Sequence, residues 1–345
     1  MRLSSTRPAA AAALLTVALA LTGCSTGSAN EKKETPDAAS AVDEGAFPVT
    51  IDHAFGSTTI EEEPKRVATL GWTDQDAVLA LGVIPVGSTK LTWGGNAAGS
   101  SDWFDAELEA LGGTQPVRYD DTDGAPVAEV AELAPDVIVA TNAGITEKEY
   151  AKLSKIAPVV AYPDAPWVTS WQDTLDMVGQ ALGRNALADD VAAETDAAIA
   201  AAAEQNPELD GTSVLFTYMS TADLSSVGVY LAEDNRVRIL EELGMVSPPV
   251  LDEIAKPGEF YTTVSAERAS ELDSDVVLTY AEKKSDLGTF TKDDLVGQMP
   301  ALRSGHAYAE LDKHIGLAIT NPSPLSIPFL IANFLPNVVK AAEGS

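Results

Sequence analysis

Two stretches far apart in the chain are written alike: VAEVAELAPDVIVATN at 127–142 and SAERASELDSDVVLTY at 265–280. Each runs from a helix-period segment through Leu133 or Leu272 to an acidic residue, Asp136 or Asp275, and then into an apolar strand. A second echo precedes this one, since RILEELGMVSP (238–248) repeats the helix, Leu-Gly and strand order of DAVLALGVIPV (76–86). A repeat separated by about 140 residues is too long for a solenoid and predicts two similar lobes.

Within each lobe, strands and helices alternate. RVATL (66–70) reads as a buried strand, Gly71-Trp72 as the loop after it, Thr73 with Asp76 as a capping box, and VIPVG (83–87) as the next strand. VIVA follows the break at Pro135-Asp136, Thr146 with Glu149 caps another helix, and IAPVVAY (156–162) is a strand again. TSVLFTYMS (212–220) opens the second lobe as strand then loop. Ahead of all this, PVTIDHAFGSTTI turns at Phe55-Gly56-Ser57 and predicts a hairpin. Alternation of this kind implies an α/β fold with largely parallel sheets covered on both faces, that is, two Rossmann-like lobes. Between them, 171–183 and the Ala-rich, Gly- and Pro-free 185–205 predict helices. The second, at 1.5 Å per residue, is a rod near 30 Å, long enough to join the lobes while letting them rock only slightly. The expected division is 1–23 export signal, 24–45 flexible tether, 46–168 first lobe, 169–206 linking helices and 207–345 second lobe. An aromatic-walled crevice is expected between the lobes.

The amino-terminal segment sets the compartment. Arg2 and Arg7 precede the apolar run 9–21, which is too short to span a bilayer and reads as a secretory signal. It ends at Leu21-Thr22-Gly23-Cys24, which holds the sole cysteine of the chain and resembles the lipobox of bacterial lipoproteins. That resemblance implies acylation of Cys24 and attachment to the outer face of the cytoplasmic membrane, where two or more acyl chains give stable anchoring. The polar segment after Cys24 buries too little to fold and is expected to act as the tether. Basic residues number 22 against 52 acidic, a net charge of −30, which repels nucleic acid and anionic lipid headgroups. His53, His306 and His314 stand far apart and at no metal-ligand spacing, so no protein-held metal is expected.

Lipobox, tether, PKRVATLGWTDQDAVLALGVIPVG, PVAEVAELAPDVIV, KLSKIAPVVAY, a linking helix and VSAERASELDSDVVL follow one another in an order similar to the helical-backbone, class III periplasmic-binding-protein family of ABC importers, in its iron–siderophore branch. The likeness covers roughly residues 47–340. It implies a monomeric, non-enzymatic receptor whose ligand is a ferric siderophore. The iron is held by the chelator, no cofactor is needed, and delivery is to an ABC permease.

Ligands of open parallel sheets sit beyond the carboxyl ends of strands. The candidate ligand residues there are Trp72, Trp93, Arg118, Asn142 and Trp167 from the first lobe, and Tyr218, Tyr230, Arg236 and Tyr261 from the second, all read as loop residues or close to loops. Aromatic rings offer contact area, and Arg118 and Arg236 are the candidates for charge recognition of an anionic chelate. The resemblance also implies one permease-docking glutamate per lobe. Glu267 matches that position, whereas the first lobe has Ala128 there and Glu129 one place later, turned by about 100° on a helix. Two other readings stand beside this one. The same fold could carry haem or a corrinoid, with haem requiring an axial ligand such as Tyr218, Tyr230 or Tyr261. An extracytoplasmic hydrolase is a different class, but the chain has neither a G-x-S-x-G elbow nor H-E-x-x-H.

Overall fold

A computed structural model describes residues 42–256 and 258–344. The export signal, Cys24 and most of the expected tether lie outside the described residues. The described body opens on a hairpin, β1 (Val49–His53) and β2 (Gly56–Ile60), paired from Val49↔Ile60 to His53↔Gly56. Alternation puts Ile51, His53, Thr58 and Ile60 inward.

The first lobe is a five-stranded sheet of β3 (Val67–Thr69), β4 (Gly87–Thr89), β5 (Val117–Tyr119), β6 (Val137–Ala140) and β7 (Val159–Ala161). All its pairings are parallel, in the order β5-β4-β3-β6-β7. Thr58 Oγ1 donates to Val159 O at 2.7 Å, which fastens the hairpin to the β7 edge. The strand expected over 83–87 begins only at Gly87, because Pro85 has no N–H to give the ladder. Gly87 itself is required, since a Cβ there would lie 2.3 Å from Leu133 Cδ1 and 2.8 Å from the Tyr119 ring.

The second lobe has β8 (Val214–Ser220), β9 (Asp223–Tyr230), β10 (Tyr261–Ser265), β11 (Val276–Tyr280) and β12 (Ala307–Glu310), in the order β10-β9-β8-β11-β12. β8, β11 and β12 are parallel, but β9 returns from β8 as an antiparallel hairpin partner and is antiparallel to β10 as well. The repeat therefore breaks at its second strand. The segment expected as a strand at GMVSP contributes a single bridge, Ser213↔Val246, because Pro248 and Pro249 withdraw the next N–H donors and β9 already occupies the place beside β8.

The duplicated acidic residue has one physical role in both lobes. Asp136 accepts from the backbone N–H groups of Lys65 and Arg66, each at 2.8 Å, at the entrance to β3. Asp275 accepts from Ser213 N at 2.8 Å and Ser213 Oγ at 2.6 Å at the entrance to β8. Each central strand is thus started by the acid that begins its neighbour.

The two linking helices are Trp171–Leu182 and Asn185–Gln205. Between them Gly183 takes φ +65°, where a Cβ would also strike the Phe47 ring at 2.5 Å. The linking helices lie on a core that the two lobes share. Val67, Val137 and Val139 of the first sheet, Val214, Phe216, Val276 and Leu278 of the second, and the helices Trp171–Leu182, Lys313–Thr320, Ile327–Asn333 and Leu335–Glu343 all belong to one continuous core. The outer faces have their own clusters, around Ala68, Ile138 and Ala140 in one lobe and Leu215, Val227 and Val277 in the other. The long helix buries only the stripe Ala188, Thr195, Ile199 and Ala202, so it braces this core from its surface. Each fully buried Val or Leu adds about 1.5–3 kcal/mol, so this shared layer fastens the two lobes together.

Candidate ligand-binding site

Beyond the carboxyl ends of β3, β5 and β6 lies a pocket of about 270 Å³. It is walled by Gly71 and Trp72 after β3, Asp121, Thr122 and Gly124 to Pro126 after β5, Asn142 to Ile145 after β6, and Trp167. Asp74, wholly buried, ties two of these loops together. Its Oδ2 accepts from Gly71 N at 2.8 Å, and its Oδ1 accepts from Thr141 Oγ1 at 2.8 Å and Asn142 N at 3.0 Å. Burial pushes this carboxyl up from its ordinary range, against the pull of those donors. The loops cross so closely that a Cβ on Gly71 would fall 2.5 Å from Asn142 O.

On this frame Trp72 is half-buried, and its side chain hydrogen-bonds Asp121, whose carboxyl is raised chiefly by burial. Trp167 is 56 % exposed and holds a left-handed backbone, φ +62°. Its ring lies on Gly144, where a Cβ would come within 1.8 Å of it. A non-glycine residue in that conformation costs roughly 1–2 kcal/mol, a cost that the contacts around it, the ring against Gly144 among them, must offset. Asn142 is 3 % exposed; its Nδ2 donates to Thr73 Oγ1 at 3.0 Å and its Oδ1 has no partner. Thr73 and Asp76 do not form the expected capping box. Asp76 turns inward to accept from Trp103 Nε1 at 2.8 Å and Ser323 Oγ at 2.7 Å, and burial pushes it up to about 6.

The second-lobe residues form another group. Tyr218, Tyr230 and Tyr261 stand on β8, β9 and β10, not on loops; the sequence reading missed β9, whose polar-apolar alternation resembles a hairpin arm. The pairs Tyr218↔Gly228 and Tyr230↔Tyr261 put all three rings on one sheet face. Gly228 leaves room for Tyr261, whose hydroxyl would lie 2.1 Å from a Cβ there. Ring contacts run on from Tyr261 to Tyr230 (5.1 Å), Phe216 (5.7 Å), Tyr280 (5.2 Å) and Trp93 (5.4 Å). Trp93 therefore crosses from the first lobe to pack on Tyr280 and Gly316 of the second. Tyr280 was missed, although it ends the second copy of the repeat at the position Asn142 holds in the first.

The arginines do not stand as free charges. Arg236 lies 4.0 Å over the Tyr230 ring, binds both Asp234 oxygens at 2.8 and 3.0 Å, and donates through Nε to Tyr280 Oη at 2.9 Å. Burial works against its charge, but Tyr280, Asp234 and Tyr230 outweigh burial and raise its pKa. Arg118 is on β5, donates to Ser88 Oγ, Ser100 Oγ and Gln115 Oε1, and covers the Phe104 ring at 4.8 Å. It does not line the pocket. The structure thus brings Trp72, Asn142 and Trp167 together on one lobe, and Tyr218, Tyr230, Arg236 and Tyr261 on the other. The groups are linked where Asn235 Nδ2 donates to Thr169 O at 2.9 Å and Thr169 Oγ1 to Thr141 O at 2.5 Å. Glu129 is exposed in the first turn of helix Val127–Glu132, and Glu267 is exposed on a 3-10 turn, Ala266–Glu271, where an α-helix was expected. Among the described residues, no cluster of three or more His, Cys, Asp or Glu side chains could hold a metal, and no helix is long and apolar enough to cross a membrane.

Two α/β lobes with a pocket at the strand ends, sharing a helical layer, define a two-lobed substrate-binding protein. The chain belongs to the periplasmic binding protein family, whose model matches residues 67–312. It is similar to PiaA of Streptococcus pneumoniae TIGR4, solved in complex with ferrichrome, at 36 % identity and TM-score 0.82, covering 86 % of this chain and 99 % of that one. It is 26 % identical over 270 residues to a probable siderophore-binding lipoprotein of Bacillus subtilis, YfiY, covering 75 % of this chain and 79 % of the relative. It is also 26 % identical over 284 residues to the ferric enterobactin-binding periplasmic protein FepB of Escherichia coli, covering 78 % and 86 %.

Proposed function

We propose that this chain is the extracytoplasmic receptor of an ABC importer, binding a ferric siderophore between its lobes and handing it to the permease. The observation that carries the reading is the exposure of two large rings, Trp167 at 56 % and Tyr218 at 49 %. There is one per lobe, each at or beyond the carboxyl end of its sheet. Aromatic surface left in water at a strand-end opening is suited to a bulky, partly apolar ligand. The names of its relatives point the same way: PiaA was solved with ferrichrome, and FepB binds ferric enterobactin. The family is one of binding proteins, and in this reading the chain carries its substrate without transforming it.

In this reading 1–23 is removed on export, lipidated Cys24 and a tether to residue 45 hold the body at the outer face of the membrane, and the receptor works as a monomer. Lobes 46–168 and 207–345 flank linking helices 169–206, and Glu129 and Glu267 meet the permease. Trp72, Asn142 and Trp167 face the chelate from one side, and Tyr218, Tyr230 and Tyr261 from the other. Arg118 and Arg236 support the two walls. The haem reading gains nothing from the histidines. His53 bonds Thr58, His306 bonds Ser304, His314 bonds Gly94 O, and none lines the pocket.

The test is tryptophan fluorescence of the purified protein against a panel of ferric chelates, with haem and cobalamin as controls. Saturable quenching by a ferric chelate is expected, weakened by Trp167→Ala and by Tyr218→Ala. Quenching by haem or cobalamin alone would refute the reading.

A further inference from the structure

The lining of the first-lobe pocket contains one ionisable side chain, and it is an acid, Asp121. The neighbouring buried polar atom without a partner is an acceptor, Asn142 Oδ1, on a side chain 97 % removed from solvent. Among the described residues, no lysine or arginine lines this pocket. Lys90, exposed just after β4, acts on Asp120 beside the pocket loop, and other cations of the two lobes have partners of their own. Arg236 is neutralised by Asp234, Arg238 by Glu233, and Lys313 pairs with Glu282 at 2.9 Å. Arg118 is held by Ser88, Ser100 and Gln115. Lys283 and Lys284 line a separate pocket with Leu287, Tyr308 and Leu311. The whole chain adds a field of net charge −30.

A site of this composition receives hydrogen-bond donors and repels anions. Three hydroxamates, each singly charged, cancel the charge of ferric iron, and their carriers bring amide N–H groups or an ammonium. A tricatecholate complex keeps three negative charges, and ferric citrate complexes are anionic too. We propose that the Trp72–Asn142–Trp167 pocket selects ferric complexes without net negative charge that carry N–H donors, the trihydroxamate class, over tricatecholate and hydroxycarboxylate complexes. Asn142 Oδ1 and the Asp121 carboxylate accept the donors, and Trp72 and Trp167 cover the apolar part. This inference rests on the siderophore reading above and narrows it.

The experiment is quenching titration of the purified protein with ferrichrome and ferrioxamine B, against ferric enterobactin and ferric dicitrate, for the native chain and Asp121→Asn. Because like-charge juxtaposition is strongly disfavoured, the hydroxamates are expected to bind about a hundredfold more tightly. Asp121→Asn is expected to narrow that gap about tenfold by strengthening the anionic chelates. Equal or tighter binding of an anionic chelate overturns the inference and leaves the receptor reading standing. A hydroxamate preference that Asp121→Asn leaves unchanged overturns its assignment to this pocket. Failure of all four chelates to bind overturns the inference together with the reading beneath it.

Discussion

Asp76 is 2 % exposed and joins the helix after β3 to Trp103 and to Ser323, 247 residues away in sequence. Desolvation is the largest influence on it, only partly offset by the Ser323 and Trp103 hydrogen bonds and the Arg118 charge, so its pKa rises from 3.8 to about 6. An acid whose folded pKa lies above its unfolded value contributes stability in full below the unfolded pKa and loses it as pH climbs through the folded one. At ~1.4 kcal/mol per unit, the loss between pH 4 and 7.5 is about 2–3 kcal/mol, the part already lost at pH 4 being small. Asp76→Asn keeps the shape and the acceptor oxygen but cannot ionise. Urea unfolding of both proteins at pH 4, 5, 6 and 7.5 isolates the effect, because the other titrating groups cancel in the difference. The variant should gain about 2–3 kcal/mol on the native protein across that window, most of it between pH 4 and 6. Parallel stability curves would refute the reasoning, because they would mean that Asp76 ionises as freely in the folded protein as in the unfolded chain.

Three further perturbations test other parts of the structure. Arg236→Ala leaves Asp234, 3 % exposed, as a buried carboxylate without its cation, and should cost about 3–5 kcal/mol in urea unfolding; a loss below about 1 kcal/mol would mean that the pair is solvated. Gly144→Ala drives a methyl into the Trp167 ring, so chelate affinity read by fluorescence should fall about tenfold while the urea midpoint barely moves; unchanged affinity would remove Trp167 from the wall. Ala134, a non-glycine residue at φ +44°, should gain about 0.5–1 kcal/mol on replacement by glycine, measured in the same unfolding assay.

The repeat made the fold legible because its signals are local. Each copy spells helix, break and strand within sixteen letters, and the acid that recurs in it secures a neighbouring strand by backbone bonds alone. The helix over 185–205 was readable to the residue from Ala-rich composition and the absence of Gly and Pro. β9 was not, because its place beside β8 is decided by which of two candidate strands wins a single slot, a contest between segments distant in sequence. The candidate site divides along the same line. Trp72, Asn142 and Trp167 follow strand ends and could be placed by the rule for open sheets. The fate of the arginines could not, because a guanidinium reads as a free charge until its partners are known; Asp234 was two residues from Arg236 all along, but Tyr280 is 44 away. Aligning the repeats to their last letter would have found Tyr280.

The shared helical layer has a consequence for traffic at the membrane. With the lobes fastened through a shared core, the expected opening is small, and the transporter meets nearly the same silhouette whether the receptor is full or vacant. Occupancy must then be sensed through the cargo's own uncovered flank, and vacant copies contend with laden ones for the same berth. Overproducing the receptor at scarce iron should slow import rather than hasten it, and vesicles reconstituted at rising receptor-to-permease ratios would register the turnover point.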